Sequence, residues 1–237
     1  MKERQGISKR ENDSRRASQK YDRIKIKSSG RTIIRRKKRK VGDMEKLLSR
    51  SEILAMISKI PAEIARFGKK GLMYRALIAL LYLTGARINE LLTLKKSQFE
   101  FMQYPKTGIK YMVISNIPTL KRKTPLPRTQ FMRKDIEEDF INHAKAWMNE
   151  LTAEDALLFP IKASRAWQIV EKYTGMFDHY FRHVRNGDLV RLYGFNSYWL
   201  QRWNGWARIT SGENYVHLIA EDLKEMIMGI EKKEENQ

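Results

Sequence analysis

The chain contains no cysteine, which excludes a disulfide scaffold and thiol chemistry. Histidine is scarce as well. The four present are His143, His179, His183 and His217, and no metal-ligand spacing links them to the carboxylates. Long apolar runs are missing: the longest, Ala76 to Thr84, is too short to span a bilayer, and no signal peptide precedes it. Those absences lead to the expectation of a soluble, intracellular protein. Acidic residues are outnumbered, 27 against 47 Lys and Arg, leaving a net charge of +20. That excess is larger than solubility requires and suits a polyanionic partner, whether nucleic acid, an anionic membrane surface or an acidic protein. A merely solvated basic surface is the competing reading of the same numbers.

What is present is enough apolar material to fold. At 237 residues, 42% hydrophobic and 10% aromatic, the chain can bury one good core with at most a small extra module. The charge is unevenly placed. Residues 1–42 hold 17 Lys and Arg against 4 Asp and Glu, and end in the run Arg35, Arg36, Lys37, Lys38, Arg39 and Lys40. With few large apolar side chains, this stretch reads as a basic tail that orders on a phosphate backbone, or as a disordered tail with non-specific affinity only. Gly42-Asp43 marks the expected boundary, so that residues 1–43 form the tail and 44–237 the folded domain.

Beyond it the pattern turns helical. Leu47, Leu48, Ile53, Leu54, Ile57 and Ile60 recur at helical spacing, with Ser49 or Ser51 as N-cap and Pro61 as terminator. Leu72 to Leu83 is apolar nearly all round and predicts a buried helix, broken at Thr84-Gly85 and followed by a second helix over Arg87 to Leu94. Three short strands are predicted at Phe99 to Tyr104, Lys110 to Ser115 and around Thr124 to Leu126, then helices over 131–150, 164–174, 178–193, 196–204 and 211–231. The expected fold class is mainly α (α+β), with a small three-stranded antiparallel sheet inserted after the third helix.

Three blocks carry chemistry. Leu83-Thr84-Gly85-Ala86-Arg87-Ile88-Asn89-Glu90-Leu91-Leu92-Thr93-Leu94 places Arg87 at a helix start, just past a glycine turn, with Glu90 three residues on. His179 and Arg182 stand at His-x-x-Arg spacing on one helical face. Gly205-Trp206 follows, and then Tyr215, with Trp206 24 positions after Arg182 and Tyr215 9 positions after Trp206. Breaking and remaking a phosphodiester without losing its bond energy needs such a set. A side-chain hydroxyl holds the phosphate covalently, arginine forks take up charge on its oxygens, and an acid such as lysine protonates the departing oxygen.

The four elements in this order resemble the catalytic domain of tyrosine recombinases, the phage-integrase family, over about residues 48 to 220. The resemblance implies that Arg87 and Arg182 clamp the scissile phosphate, that His179 assists proton transfer, and that Tyr215 is the nucleophile. Trp206 stands where most members have His, its indole N–H still able to donate to phosphate. Glu90 falls on a structural acidic position expected to support Arg87 by a hydrogen bond. The catalytic lysine should lie between the second and third strands, where Lys121 is the choice and Lys123 the reserve.

Many members of the family carry a helical core-binding domain that closes round DNA; here only the basic tail is expected before Leu48, so that either the tail or a partner protein replaces that clamp, or DNA binding is weak. The resemblance implies double-stranded DNA as partner, self-association in a tetrameric synapse, an accessory DNA-bending protein, no membrane, no cofactor, and a cytoplasmic, nucleoid-associated location. Trp199 and Trp203 are expected to be core packing, and His183 and His217 structural or supporting. Residues 219–231, with Met226 and Met228, either dock on a neighbouring subunit or pack on their own domain. Three other readings stay open: a type IB topoisomerase-like relaxase, a non-catalytic DNA-binding regulator that keeps the fold, and a basic RNA-binding protein.

Overall fold

The computed structural model describes residues 47–64, 68–120, 127–213 and 215–216. The basic tail with its boundary at Gly42-Asp43, both Lys121 and Lys123, and residues 219–231 therefore lie outside the described residues. Helix α1 (Arg50–Ser58) starts from the Ser49 side chain, which accepts from the Glu52 backbone N–H while Glu52 answers to the Ser49 N–H. Helix α2 (Lys70–Thr84) is the centre of the domain. Ile78, Leu80, Leu81, Tyr82 and Leu83 have no exposed surface, and each large apolar side chain buried there is worth about 1.5–3 kcal/mol. Gly85 then takes a left-handed conformation (φ 57°) that ends the helix and turns the chain.

The next helix is shorter than its sequence suggests. Helix α3 spans Ile88–Leu91, not the expected 87–94. Past Leu92 the backbone leaves the helix, because the Leu94 carbonyl accepts from Leu158 N–H (2.8 Å) and Lys95 bridges to Leu157. The sheet runs in the order β1 (Phe99–Gln103), β2 (Lys110–Ile117) and β3 (Arg128–Arg133), antiparallel throughout.

The third strand thus lies at 128–133, later than the expected 124–126, and takes the start of what looked like a long helix. Its inward side chains are Arg128, Gln130 and Met132, so two polar residues stand where alternation would show apolar ones. A bulge between Ile114 and Ile117, with Asn116 at φ 56°, brings Ile117 opposite Arg128.

Four more helices complete the described fold: α4 (Lys134–Met148), α5 (Ala163–Thr174), α6 (Asp178–Tyr193) and α7 (Ser197–Asn204). Residues 210–213 and 215–216 are also helical. Helix α4 packs along α2 on one side and α6 along it on another, so α2 joins the two halves of the core. Behind α6 lies a buried ionic cluster. Arg185, with no exposed surface, pairs with Glu137 (2.5 Å), whose other oxygen takes Arg50 (3.0 Å). Tyr193 donates to the same carboxylate (3.0 Å), and Tyr82 donates to Asp188 (2.6 Å). Trp203 is core, as expected, whereas Trp199 is 53% exposed and packs only at the surface.

Candidate active site

The Gly85 turn fixes where Arg87 stands. Gln130 and the Trp203 indole both donate to the Thr84 carbonyl (3.0 and 3.1 Å), which pins the chain just before the turn. Arg87 follows as the N-cap of α3, with its backbone N–H on Glu90 Oε2 (3.1 Å) and its guanidinium on Glu90 Oε1 (2.8 Å). Glu90 is itself wholly buried and serves as a hub. Its Oε2 also receives Arg128 from β3 (3.0 Å) and Arg182 from α6 (3.4 Å). Arg182 donates through Nε to the Gly85 carbonyl (2.5 Å), tying α6 to the turn. Arg87 and Arg182, 95 residues apart, are thus gathered on one carboxylate.

Three guanidinium groups against one carboxylate leave the cluster with excess positive charge. Burial alone would raise the Glu90 carboxyl, but Arg128 first, with Arg87 and Arg182, outweighs it and holds the group below the ordinary carboxylate range. Burial and the neighbouring Arg87 lower Arg182 to about 10, with Glu90 opposing, so it stays charged at neutral pH. Arg182 is 2% exposed, and its Nη1 has no hydrogen-bond partner among the described residues. Arg87 keeps a quarter of its side chain in solvent. A buried, charged, unfilled donor beside a partly exposed guanidinium is a place for an anion's oxygens.

Tyr215 borders this cluster. Its ring is 7% exposed and lies parallel to Trp206, centroids 6.0 Å apart. Its hydroxyl bonds His183 Nδ1 at 2.6 Å. Burial raises the phenol above its ordinary value, while the Asn186 side chain and the Arg182 charge pull it down. His179, exposed on the preceding turn of α6, meets His183 edge to face at 5.1 Å. Gly205 just before Trp206 is held at φ 66°, and a Cβ there would collide with Thr119, so the turn that delivers Trp206 requires glycine.

The structure therefore brings Arg87, Arg182, His179, Trp206 and Tyr215 into one region around Glu90 and His183. Two members were missed from the sequence. The sequence assigns Arg128 no role, and it reads His183 as structural or supporting. Only the burial of Glu90 against several cations reveals the first, and only the hydrogen bond from Tyr215 reveals the second.

Among the described residues no group of His, Asp and Glu is arranged to hold a metal ion, and no helix is long and apolar enough to cross a membrane.

The helical domain with its inserted three-stranded sheet has the fold of a tyrosine-recombinase catalytic domain. It is similar to the XerH site-specific recombinase in a pre-cleavage complex with its difH substrate, at a TM-score of 0.55 and 22% identity, over 76% of this chain and 53% of that one. A post-cleavage XerH complex with palindromic difH gives 0.55 and 21% over 78% and 53%. XerA recombinase gives 0.52 and 19% over 78% and 64%. The chain thus spans about half to two-thirds of the length of these solved proteins. No family model and no curated protein matches the sequence.

Proposed function

We propose that this chain is a site-specific DNA recombinase or integrase that cuts and rejoins DNA through a 3′-phosphotyrosyl link at Tyr215. The observation that carries the reading is the Glu90 hub, which gathers Arg87 and Arg182 and leaves a buried Arg182 donor open beside the phenol. The fold supports it, since XerH was solved on a DNA substrate before and after cleavage.

Tyr215 attacks the phosphorus, the bond to the 5′-oxygen breaks, and the bond energy stays in the protein–DNA link. Arg87 and Arg182 hold the non-bridging oxygens as charge grows in the transition state. The Trp206 indole N–H is a further donor to the phosphate, and His179 assists proton transfer from the exposed side. Lys121, or Lys123 beside it, protonates the departing 5′-oxygen. Rejoining to a second duplex needs a synapse of several subunits on DNA, with an accessory DNA-bending protein where the site must be curved.

A nicked suicide duplex, which loses its short 5′-strand on cleavage, tests this. The wild type is expected to form a denaturant-resistant adduct and Tyr215→Phe none. An equal adduct from both proteins contradicts the assignment.

The basic run Arg35 to Lys40 contacts the DNA backbone in this reading. Deleting residues 1–42 is expected to weaken binding and to flatten the dependence of affinity on salt, because fewer counterions are released. Titrations at several salt concentrations check it, and an unchanged slope rules the contact out.

A further inference from the structure

The proposed reaction leaves one proton unassigned. The Tyr215 hydroxyl must lose its hydrogen as the oxygen bonds to phosphorus, and burial makes that phenol harder to ionise than a free one. The hydroxyl's partner is His183, whose Nδ1 lies 2.6 Å from the phenolic oxygen, within the range for direct proton transfer, and accepts from it in the tautomer that carries its hydrogen on Nε2. We infer that His183 is the general base that takes the proton from Tyr215 during DNA cleavage and returns it during rejoining. The role rests on the recombinase reading given above.

The proton balance closes. In cleavage the Tyr215 O–H bond breaks, its hydrogen passes to Nδ1, the oxygen bonds phosphorus, and the 5′-oxygen leaves with a proton from a separate acid. In rejoining the 5′-hydroxyl attacks and returns its proton to the conjugate base of that acid, the phenolate leaves phosphorus, and the imidazolium gives its proton back to the phenolate oxygen. No oxidant or co-reactant enters.

The surroundings fit the task. Burial, and then the Arg182 charge next to it in sequence, lower His183 below the ordinary histidine value, so the ring is neutral and able to accept at neutral pH. Among the described residues the ionisable and charged groups facing it are Arg182 and His179 from its own helix and Tyr215 from the last described segment. The phenol ring stacks with the Trp206 indole, centroids 6.0 Å apart, and lies 5.8 Å from the His183 imidazole, so both rings hold it in place. Adjacent residues of α6 thus do two jobs. Arg182 faces the carboxylate hub with an open donor for phosphate, and His183 meets the nucleophile. The Tyr215 hydroxyl meets the His183 ring nitrogen directly, while His179 meets the His183 ring edge to face.

The sign of the pH effect follows. A base with a lowered value is protonated and idle in acid, so cleavage by the wild type rises with pH through a midpoint below the ordinary histidine value and then levels. His183→Asn puts an amide oxygen near the place of Nδ1, keeping an acceptor for the hydrogen bond but no base. Single-turnover adduct formation on the suicide duplex, followed from pH 5 to 9, is the test. The variant is expected to bind DNA and form the adduct about 10²-fold more slowly. It should also lose the low-pH limb and climb by about tenfold per pH unit instead, as the phenolate fraction takes over. Adduct formation within about threefold of wild type, or a retained low-pH limb, overturns the base role while leaving the recombinase reading intact.

Absence of any adduct from the wild type overturns both. Should the variant fold poorly, the unaltered protein with 15N-labelled histidine supplies the second readout. The His183 titration and the low-pH limb should coincide, and a separation greater than about one pH unit overturns the role.

Discussion

Arg87→Ala and Arg182→Ala are each expected to slow DNA cleavage by at least ~10²-fold, the scale of losing one preorganised donor to charge that develops in the transition state. The two substitutions test different halves of the clamp. Arg87 is partly in solvent and, among the described residues, held by Glu90, so its removal should leave the fold nearly as stable as before. Arg182 is buried, yet Glu90 keeps Arg87 and Arg128 after its loss, so no carboxylate is left buried without a partner. DNA affinity, set largely by many phosphate contacts, should fall far less than the cleavage rate. Single-turnover cleavage measured beside binding and thermal stability separates these effects. Near-normal cleavage in either variant removes that arginine from the clamp.

Glu137→Gln is expected to be the most destabilising conservative change in the domain. The carboxylate is the counter-charge to Arg185, and both side chains are without exposed surface. Removing it leaves a buried guanidinium whose Nε and Nη2 already have no partner among the described residues. Breaking one side of such a pair costs about 3–5 kcal/mol. For a domain of this size that corresponds to a fall of roughly 6–20 °C in the unfolding midpoint. Replacing both partners with apolar residues, Glu137→Leu with Arg185→Met, should recover much of the loss, since it removes the desolvated charges together. Thermal unfolding followed by circular dichroism gives the answer. A midpoint within about 2 °C of wild type for Glu137→Gln would show that the cluster is better hydrated than its geometry implies.

Much of the fold was legible because its signals are strong and local. The apolar circumference of α2, the glycine after Thr84 and the apolar run Met112 to Ile114 in β2 each follow from burial and backbone freedom alone. Where the reading slipped, tertiary contacts had overridden local pattern. β3 turns Arg128 and Gln130 inward to serve Glu90 and the Thr84 carbonyl, which erased the alternation that marks a half-buried strand. α3 ends early because Leu94 pairs with Leu158, a contact 64 residues away that no window of sequence contains. Trp199 sits one turn from Trp203 on α7, and only the packing decides that one faces out and the other in.

For the site, spacing picked out Arg87, Arg182, Trp206 and Tyr215, since those blocks have a characteristic order. It gave no hint that Arg128 joins the hub or that His183 holds the phenol. Both depend on how the sheet and α6 meet. Arg185 is the sharpest case: nothing in His183-Val184-Arg185-Asn186 singles it out, and it is wholly buried.

The central claim is that Tyr215 carries the covalent link to DNA, and the most direct measurement locates that link. After trapping on the nicked duplex, nuclease trimming and proteolysis, mass spectrometry should find the residual nucleotide on the peptide containing Tyr215 and on that residue's oxygen. A nucleotide on another side chain, such as the exposed Tyr198, or the absence of any modified peptide from protein that binds the duplex, contradicts the account.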